Sequence, residues 1–137
     1  MTTDLARRLS LAGFLLAATI LPSFSAHPLH AASAHPKEKP YALIFGTVWG
    51  PDDLPVYGVT VKIRRATDKP RKVRWEVQSD HHGEFAQRVP VGECDYILSA
   101  DLKGVKSSDG QPLRLLKEVT VHIYNDERED TGLHLSH

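Results

Sequence analysis

The sequence of 137 residues has a single cysteine, few aromatic residues and no net charge. Because Cys94 has no second cysteine to pair with, the chain forms no internal disulfide. Its 17 Lys and Arg residues balance 17 Asp and Glu residues. A neutral chain lacks the basic surface that binds phosphate backbones, so we expect no nucleic-acid partner.

The chain also lacks an apolar run long enough to span a bilayer, which takes about 20 residues. Its longest run, residues 11–21, follows two arginines and has the length of the apolar part of a secretory signal. Small residues at positions 23 and 25 offer one cleavage site, and those at positions 32 and 34 offer a second. We therefore expect an exported protein, periplasmic or extracellular, with no transmembrane segment in the mature chain.

The remaining sequence is long enough for one small domain. We predict a signal peptide over residues 1–25, with cleavage as late as residue 34 if the second site is used. A flexible lead-in over residues 26–40, rich in Pro, Ala and His, then precedes one domain over residues 41–137.

Short segments of alternating apolar and polar residues fill the chain from Tyr41 onward. Val59, Val61 and Ile63, for example, alternate with polar neighbours, which is typical of a strand with one buried face. Sheets with a single apolar face bury it by packing against each other, so we expect a seven-stranded antiparallel β-sandwich. The predicted strands are residues 43–48, 59–65, 73–79, 84–89, 94–100, 119–124 and 133–135.

Several short motifs resemble those of carboxypeptidase regulatory-like domains, which belong to the transthyretin-like superfamily. The segment GTVWGPDDLPVYGVTVKI is similar to the opening of such domains, SDHHGEF to their Asp-x-x-Gly-x-Phe turn, and VPVGECDYILSADLKG to their next strand. Cys94 departs from the family, which usually has Tyr at this place. The first segment carries the resemblance at Gly46, Val48, Pro55, Val56, Gly58, Val59 and Val61.

The resemblance implies a transthyretin-like or immunoglobulin-like fold and an accessory role, since most such domains bind, space or stabilise rather than catalyse. Two chemically active relatives are disfavoured. Hydroxyisourate-hydrolysing relatives end in Tyr-Arg-Gly-Ser, whereas this sequence ends in TGLHLSH. Pilin-type relatives form an isopeptide bond from a Lys on the first strand, and residues 41–49 contain no Lys.

The segment SDHHGEF raises the question of a metal or catalytic site. Asp80 and Gly83 occupy the first and fourth places of a type I turn, where each residue type is preferred. We interpret them as structural and place His81 and His82 at the exposed corner, with metal binding as a minor alternative. If the flanking strands pair directly, Glu76 comes to lie opposite Arg88.

The other candidate sites also have both a functional and a purely structural interpretation. His122 and His134 are predicted on outward positions of neighbouring strands, where they would either share a cation or stay solvated. Trp49 and Tyr57 flank a turn and could form an aromatic platform for a sugar, although loop aromatics more often cover the end of a sandwich. Cys94 is in phase with core residues, which favours burial.

The basic segment over residues 62–74 could meet an anionic partner, or it could be a solvated surface. We identify no catalytic residue, no cofactor and no metal requirement in the sequence. We expect a non-catalytic accessory domain with a structural or binding role, whose partner is an unknown protein or glycan of the cell envelope. The alternatives are a carbohydrate-binding module and a degenerate transthyretin-like hydrolase that uses His81, His82 or His122.

Overall fold

The computed structural model describes residues 37–137, which form a two-sheet β-sandwich. The predicted signal peptide and residues 26–36 of the lead-in lie outside the described residues. Residues 37–40 are exposed and have no regular structure. The eight strands are β1 (Tyr41–Trp49), β2 (Thr60–Arg65), β3 (Trp75–Gln78), β4 (Glu84–Pro90), β5 (Cys94–Asp101), β6 (Arg114–Leu115), β7 (Val119–Ile123) and β8 (Arg128–Ser136).

The first sheet has the order β4-β1-β8-β6 and the second has the order β3-β2-β5-β7. All strand pairs are antiparallel except β1 and β8, which are parallel, with Phe45 opposite Asp130. No helix within residues 37–137 has the length and apolarity that a membrane crossing requires.

The core lies between the two sheets and is built by the alternation seen in the sequence. Val61 and Ile63 of β2 and Val59 just before it are fully buried, as predicted. Burying one such side chain contributes about 1.5–3 kcal/mol, so the core needs no disulfide. The other core residues are Ala42, Ile44, Val48, Phe85, Val89, Tyr96, Leu98, Leu113, Val121, Ile123, Leu133 and Leu135.

The prediction of seven antiparallel strands is corrected in three respects: the number of strands, the start of the last strand and the direction of one strand pair. The two-residue strand β6 was too short to show alternation, and β8 starts at Arg128 rather than at Leu133. The early start of β8 was hidden because its first residues, Arg128, Glu129 and Asp130, are all charged. The parallel β1–β8 pair joins distant parts of the chain, which local alternation does not report.

The third predicted strand also begins later than expected. Val73 is 37% exposed and precedes β3, which begins at Trp75. The pairing of β2 with β3 ends at Ile63 opposite Trp75. The Arg74 amide still donates to the Ile63 carbonyl at 2.9 Å, and the Arg74 side chain binds Asp68 in the β2–β3 connection.

The predicted pairing of Glu76 with Arg88 is wrong. The strands β3 and β4 are joined by a short turn but belong to different sheets. Glu76 lies opposite Lys62 on β2, and Arg88 lies opposite Leu43 on β1. The turn between them therefore connects the two layers at one end of the sandwich.

Candidate functional site

The β3–β4 turn has the geometry that its sequence predicts. The Gly83 amide donates to the Asp80 carbonyl at 2.9 Å, and Gly83 has a φ of 72°. The Asp80 carboxylate accepts the amides of His82 and Glu84 at 2.8 and 3.0 Å. These two backbone hydrogen bonds, from Glu84 first and then from His82, hold the pKa of Asp80 below its usual value. Asp80 and Gly83 thus shape the turn.

Ser79 links this turn to the β1–β2 connection through hydrogen bonds. It is the only buried polar residue among those that the structure describes. Its hydroxyl donates to the Val56 carbonyl at 2.7 Å and accepts the Val59 amide at 2.9 Å. The Ser79 amide also donates to the Val59 carbonyl at 2.9 Å. Sequence reasoning did not single out Ser79, because a serine next to a turn is usually a solvated one.

The two histidines of the turn are both exposed, but their surroundings differ. The His81 ring stacks on the Tyr57 ring, with centroids 4.2 Å apart and planes 10° from parallel. The His82 ring lies with the carboxylates of Asp80 and Glu84, and one ligand atom from each of the three lies within 4.8 Å of the others. These different surroundings could not be predicted from the sequence, in which the two histidines are adjacent.

His122 and His134 lie in different sheets, so the prediction that they face each other is wrong. His122 on β7 is opposite Asp95, and its Nδ1 contacts the Asp95 carboxylate. Its Nε2 is 3.9 Å from a carboxylate oxygen of Glu93. His134 is exposed on β8, opposite Trp49.

Cys94 is half-buried and has a free thiol, so the expected burial is only partial. It lines a cavity of about 420 Å³ together with Arg65, Asp95 and His122. Along β5, Cys94 and Asp95 point to opposite faces of the sheet, because successive residues of a strand alternate.

Part of the basic segment 62–74 is neutralised within the domain. Arg74 forms two hydrogen bonds with the Asp68 carboxylate, at 2.5 and 2.8 Å. The pKa of Asp68 is lowered to about 2, and its hydrogen bonds with the Arg74 side chain are the largest cause. Lys62 binds Asp101 at 2.8 Å, which raises the pKa of Lys62 and lowers that of Asp101. The segment is therefore not a uniform surface for anions.

Trp49 and Tyr57 do not stack on each other to form the proposed platform. Tyr57 is 60% exposed on the β1–β2 connection and is stacked on His81. Trp49 is half-buried at the end of β1, and its ring lies beside Gly132 of β8. A methyl group built on Gly132 would be 3.5 Å from the indole ring, which is an ordinary van der Waals contact, so the ring packs against the strand without requiring glycine there.

A row of mostly apolar side chains lies on the outer face of β1, away from the core. Residues 41, 43, 45, 47 and 49 are half-buried, whereas those between them are fully buried. The row consists of Tyr41, Leu43, Phe45, Thr47 and Trp49, which we call the outer stripe. Apolar residues on both faces of a strand are typical of a strand covered on both sides.

Charged side chains flank the outer stripe on both sides. Arg88 on β4 lies over the Tyr41 ring, 4.2 Å from its centroid. On the other side, Arg128 and Asp130 of β8 lie opposite Leu43 and Phe45. A groove of about 540 Å³ runs along this face. It is lined by Leu43, Phe45, Gly46, Thr47, Gln78, Asp80, Glu84, Phe85, Ala86, Arg128 and Asp130.

The second sheet presents a different outer face. Its outward positions on β2 are Thr60, Lys62 and Arg64, which are half-buried polar or charged residues. On β5, Ile97 is an isolated apolar residue between Asp95 and Ser99. The apolar outer face is therefore a property of the first sheet. The signal for it is the nearly continuous apolar run YALIFGTVW, which the predicted strand 43–48 cut short at both ends.

Comparison with known proteins supports the fold of this chain. No family model matches the chain, and no curated protein does. Among solved structures, (S)-allantoin synthase is similar with a TM-score of 0.52 and 12% identity, over 72% of this chain and 41% of that one. A minor pilin of Streptococcus agalactiae is similar with a TM-score of 0.50 and 14% identity, over 72% and 45%.

The 5-hydroxyisourate hydrolase of Klebsiella pneumoniae has a TM-score of 0.48 and 15% identity, over 68% of this chain and 90% of that one. This chain spans less than half the length of the synthase and of the pilin. At such identities, the likeness to those two shows the fold alone. The predicted fold class is confirmed at the level of an all-β, two-sheet sandwich.

Proposed function

We propose that this chain is an exported, non-catalytic accessory domain of the carboxypeptidase regulatory-like type, and that it binds a protein of the cell envelope through the outer face of its first sheet. The observation that carries the proposal is the outer stripe with its charged flanks. The whole protein's activity and partners are part of this proposal.

The outer stripe supports a binding role on physical grounds. Apolar groups gathered on one face and rimmed by polar groups are a mark of interaction surfaces. Burying the part of the Phe45 side chain that is still exposed contributes less than about 1 kcal/mol. The flanking charges, Arg128 and Asp130 on one side and Glu84 and Arg88 on the other, have mixed signs. Mixed charges at a rim favour a protein partner with complementary charges over a uniformly charged polymer.

The resemblance to regulatory-like domains is supported by the roles of two of its glycines. A methyl group on Gly46 would lie 1.8 Å from the Thr131 carbonyl oxygen, so glycine is needed where β1 meets β8. A methyl group on Gly83 would lie 2.6 Å from the Pro55 side chain. Both motif positions therefore serve the packing of this sandwich, as positions that define a fold should.

The positions of the histidines favour an accessory domain over the hydrolase alternative. His81 and His82 lie in the β3–β4 turn, whereas His122 lies on β7 of the second sheet. His81 stacks on Tyr57, and His122 contacts Asp95 and packs edge-on against Tyr124. An enzyme of the proposed kind needs its histidines gathered with an arginine around one substrate.

The proposal is tested by affinity capture from envelope extract with three forms of the chain. Phe45→Asp places a charge in the outer stripe, and Ile97→Asp makes the same kind of change on the outer face of the second sheet. Thermal melting of both variants first establishes that they fold. We expect the wild type and Ile97→Asp to capture the same protein and Phe45→Asp to lose it. Equal capture by all three forms contradicts the proposal.

A glycan-binding module is the second candidate, because Tyr41, Phe45 and Trp49 recur at every fourth position on one face of β1. Such positions are about 14 Å apart along a strand, and aromatic rings so placed suit a polysaccharide chain. Affinity electrophoresis in gels containing envelope or plant polysaccharides distinguishes the two candidates. Retardation of the wild type that is lost in Trp49→Ala supports the glycan, and unchanged migration supports the protein partner.

A further inference from the structure

The β3–β4 turn brings together three side chains with the donor atoms of a metal site. One ligand atom each from Asp80, His82 and Glu84 lies within 4.8 Å of the other two. These residues alternate along the chain, and all three are exposed, so an ion from solution reaches them without any opening of the fold.

The spacing of the donors is close to what a metal ion requires. Bonds of 2.0–2.2 Å to nitrogen and carboxylate oxygen in a tetrahedral site place the ligand atoms about 3.3–3.5 Å apart. The donors therefore have to approach by no more than about 1.5 Å. Rotation of exposed side chains achieves this without any change in the backbone.

The backbone that carries the donors is held in place on both sides. The Asp80 amide donates to the Glu84 carbonyl at 2.9 Å, and the Gly83 amide donates to the Asp80 carbonyl at 2.9 Å. The Asp80 oxygen Oδ1 accepts two amides, and neither bond uses the second oxygen, Oδ2. Gly83 also packs closely against Pro55, so the turn is seated on the β1–β2 connection.

The two histidines of this turn make different contacts, and only one of them belongs to the cluster of donors. His81 is stacked on Tyr57, with ring centroids 4.2 Å apart, and takes no part in the three-residue cluster. His82 is therefore the nitrogen donor. One imidazole and two carboxylates suit divalent transition metals such as Zn²⁺.

We propose that Asp80, His82 and Glu84 form a binding site for a divalent transition-metal ion, with water completing the coordination. The site shares Glu84 with the rim of the outer stripe, but it does not depend on the proposed protein partner. Its proximity to the groove, which Asp80 and Glu84 also line, places a bound ion at the edge of that surface.

The test is a titration of the full chain with ZnCl₂, followed by imidazole chemical shifts assigned residue by residue. Such shifts separate this turn from the histidines before residue 37. The expected result is a saturable shift of the His82 resonances near equimolar metal. The matched variants are His82→Asn and His81→Asn, which remove neighbouring imidazoles from the same turn.

We expect His82→Asn to weaken Zn²⁺ binding at this turn by at least about ten-fold, because it removes a direct ligand. Binding is measured in both variants by competition with a chromogenic chelator and by the shift of the Glu84 amide. His81→Asn is expected to bind as the wild type does. Glu84→Gln should weaken binding like His82→Asn while leaving the melting temperature unchanged. An absent His82 shift, or equal losses in the two histidine variants, overturns the proposal.

Discussion

Replacement of Gly83 by alanine tests whether the β3–β4 turn is fixed by its packing as well as by its backbone conformation. Gly83 has a φ of +72°, and a methyl group there would lie 2.6 Å from the Pro55 side chain and 3.0 Å from the Val48 carbonyl oxygen. Gly58 has nearly the same conformation, with a φ of +76°, but a methyl group there would meet nothing within 4 Å. Gly58→Ala is therefore a matched control for backbone strain alone.

The magnitudes follow from these two environments. A non-glycine residue in the left-handed region costs about 1–2 kcal/mol of folding free energy, and both variants incur this cost. The close contacts at Gly83 add about 1–3 kcal/mol, because neighbouring atoms must shift to admit the methyl group. We therefore expect losses of about 1–2 kcal/mol for Gly58→Ala and about 2–5 kcal/mol for Gly83→Ala.

The assay is urea unfolding followed by tryptophan fluorescence, with thermal melting as a second measurement. In a domain of this size, each kcal/mol shifts the melting temperature by about 4–8 °C. Gly83→Ala should melt at least about 4 °C below Gly58→Ala. Equal losses of stability in the two variants would show that the turn can move away from Pro55 without a cost in folding free energy. The close packing of Gly83 would then not contribute to stability.

Three further changes test other contacts of the domain. Ser79→Ala removes the hydrogen-bond partner of the buried Val59 amide and of the half-buried Val56 carbonyl, so the free energy of unfolding should fall by about 1–3 kcal/mol in a urea titration; no change would show that water replaces the hydroxyl. The pKa of Asp68 is lowered from 3.8 to about 2, chiefly by Arg74, so its contribution to stability is complete above pH 3.8 and is lost as the pH falls through 2. Asp68→Asn should therefore flatten the decline in melting temperature between these pH values, and an unaltered decline would contradict this. Gly46→Ala places a methyl group 1.8 Å from the Thr131 carbonyl oxygen and should abolish the cooperative unfolding transition, whereas a native-like melt would show that β1 and β8 can separate there.

The sequence predicted those features of the fold that depend on local alternation. Val59, Val61 and Ile63 point inward because their period of two matches the pleat of a strand, and the same holds for Phe85 and Val89. Alternation carries no information about which strands become neighbours. The parallel pairing of β1 with β8 and the separation of β3 from β4 into different sheets were therefore out of its reach.

The candidate site could be predicted only in part, because some of its contacts join segments that are distant in the sequence. Asp80 and Gly83 were recognised because turn chemistry is local, but the stacking of His81 on Tyr57 depends on two connections that meet only in the folded chain. The outer stripe was visible in principle. Tyr41 and Trp49 extend the alternation of β1 on its second face, and an apolar second face indicates a strand that something covers.

Site-specific photo-crosslinking reports whether the chain binds a protein through the outer face of its first sheet. A photoreactive phenylalanine analogue is placed at Phe45 in one form of the chain and at Ile97 in another, and both are irradiated in the cells that produce them. Binding through this face predicts a discrete crosslinked protein from position 45 and none from position 97. Crosslinks of equal yield from both positions, or from position 97 alone, would contradict it.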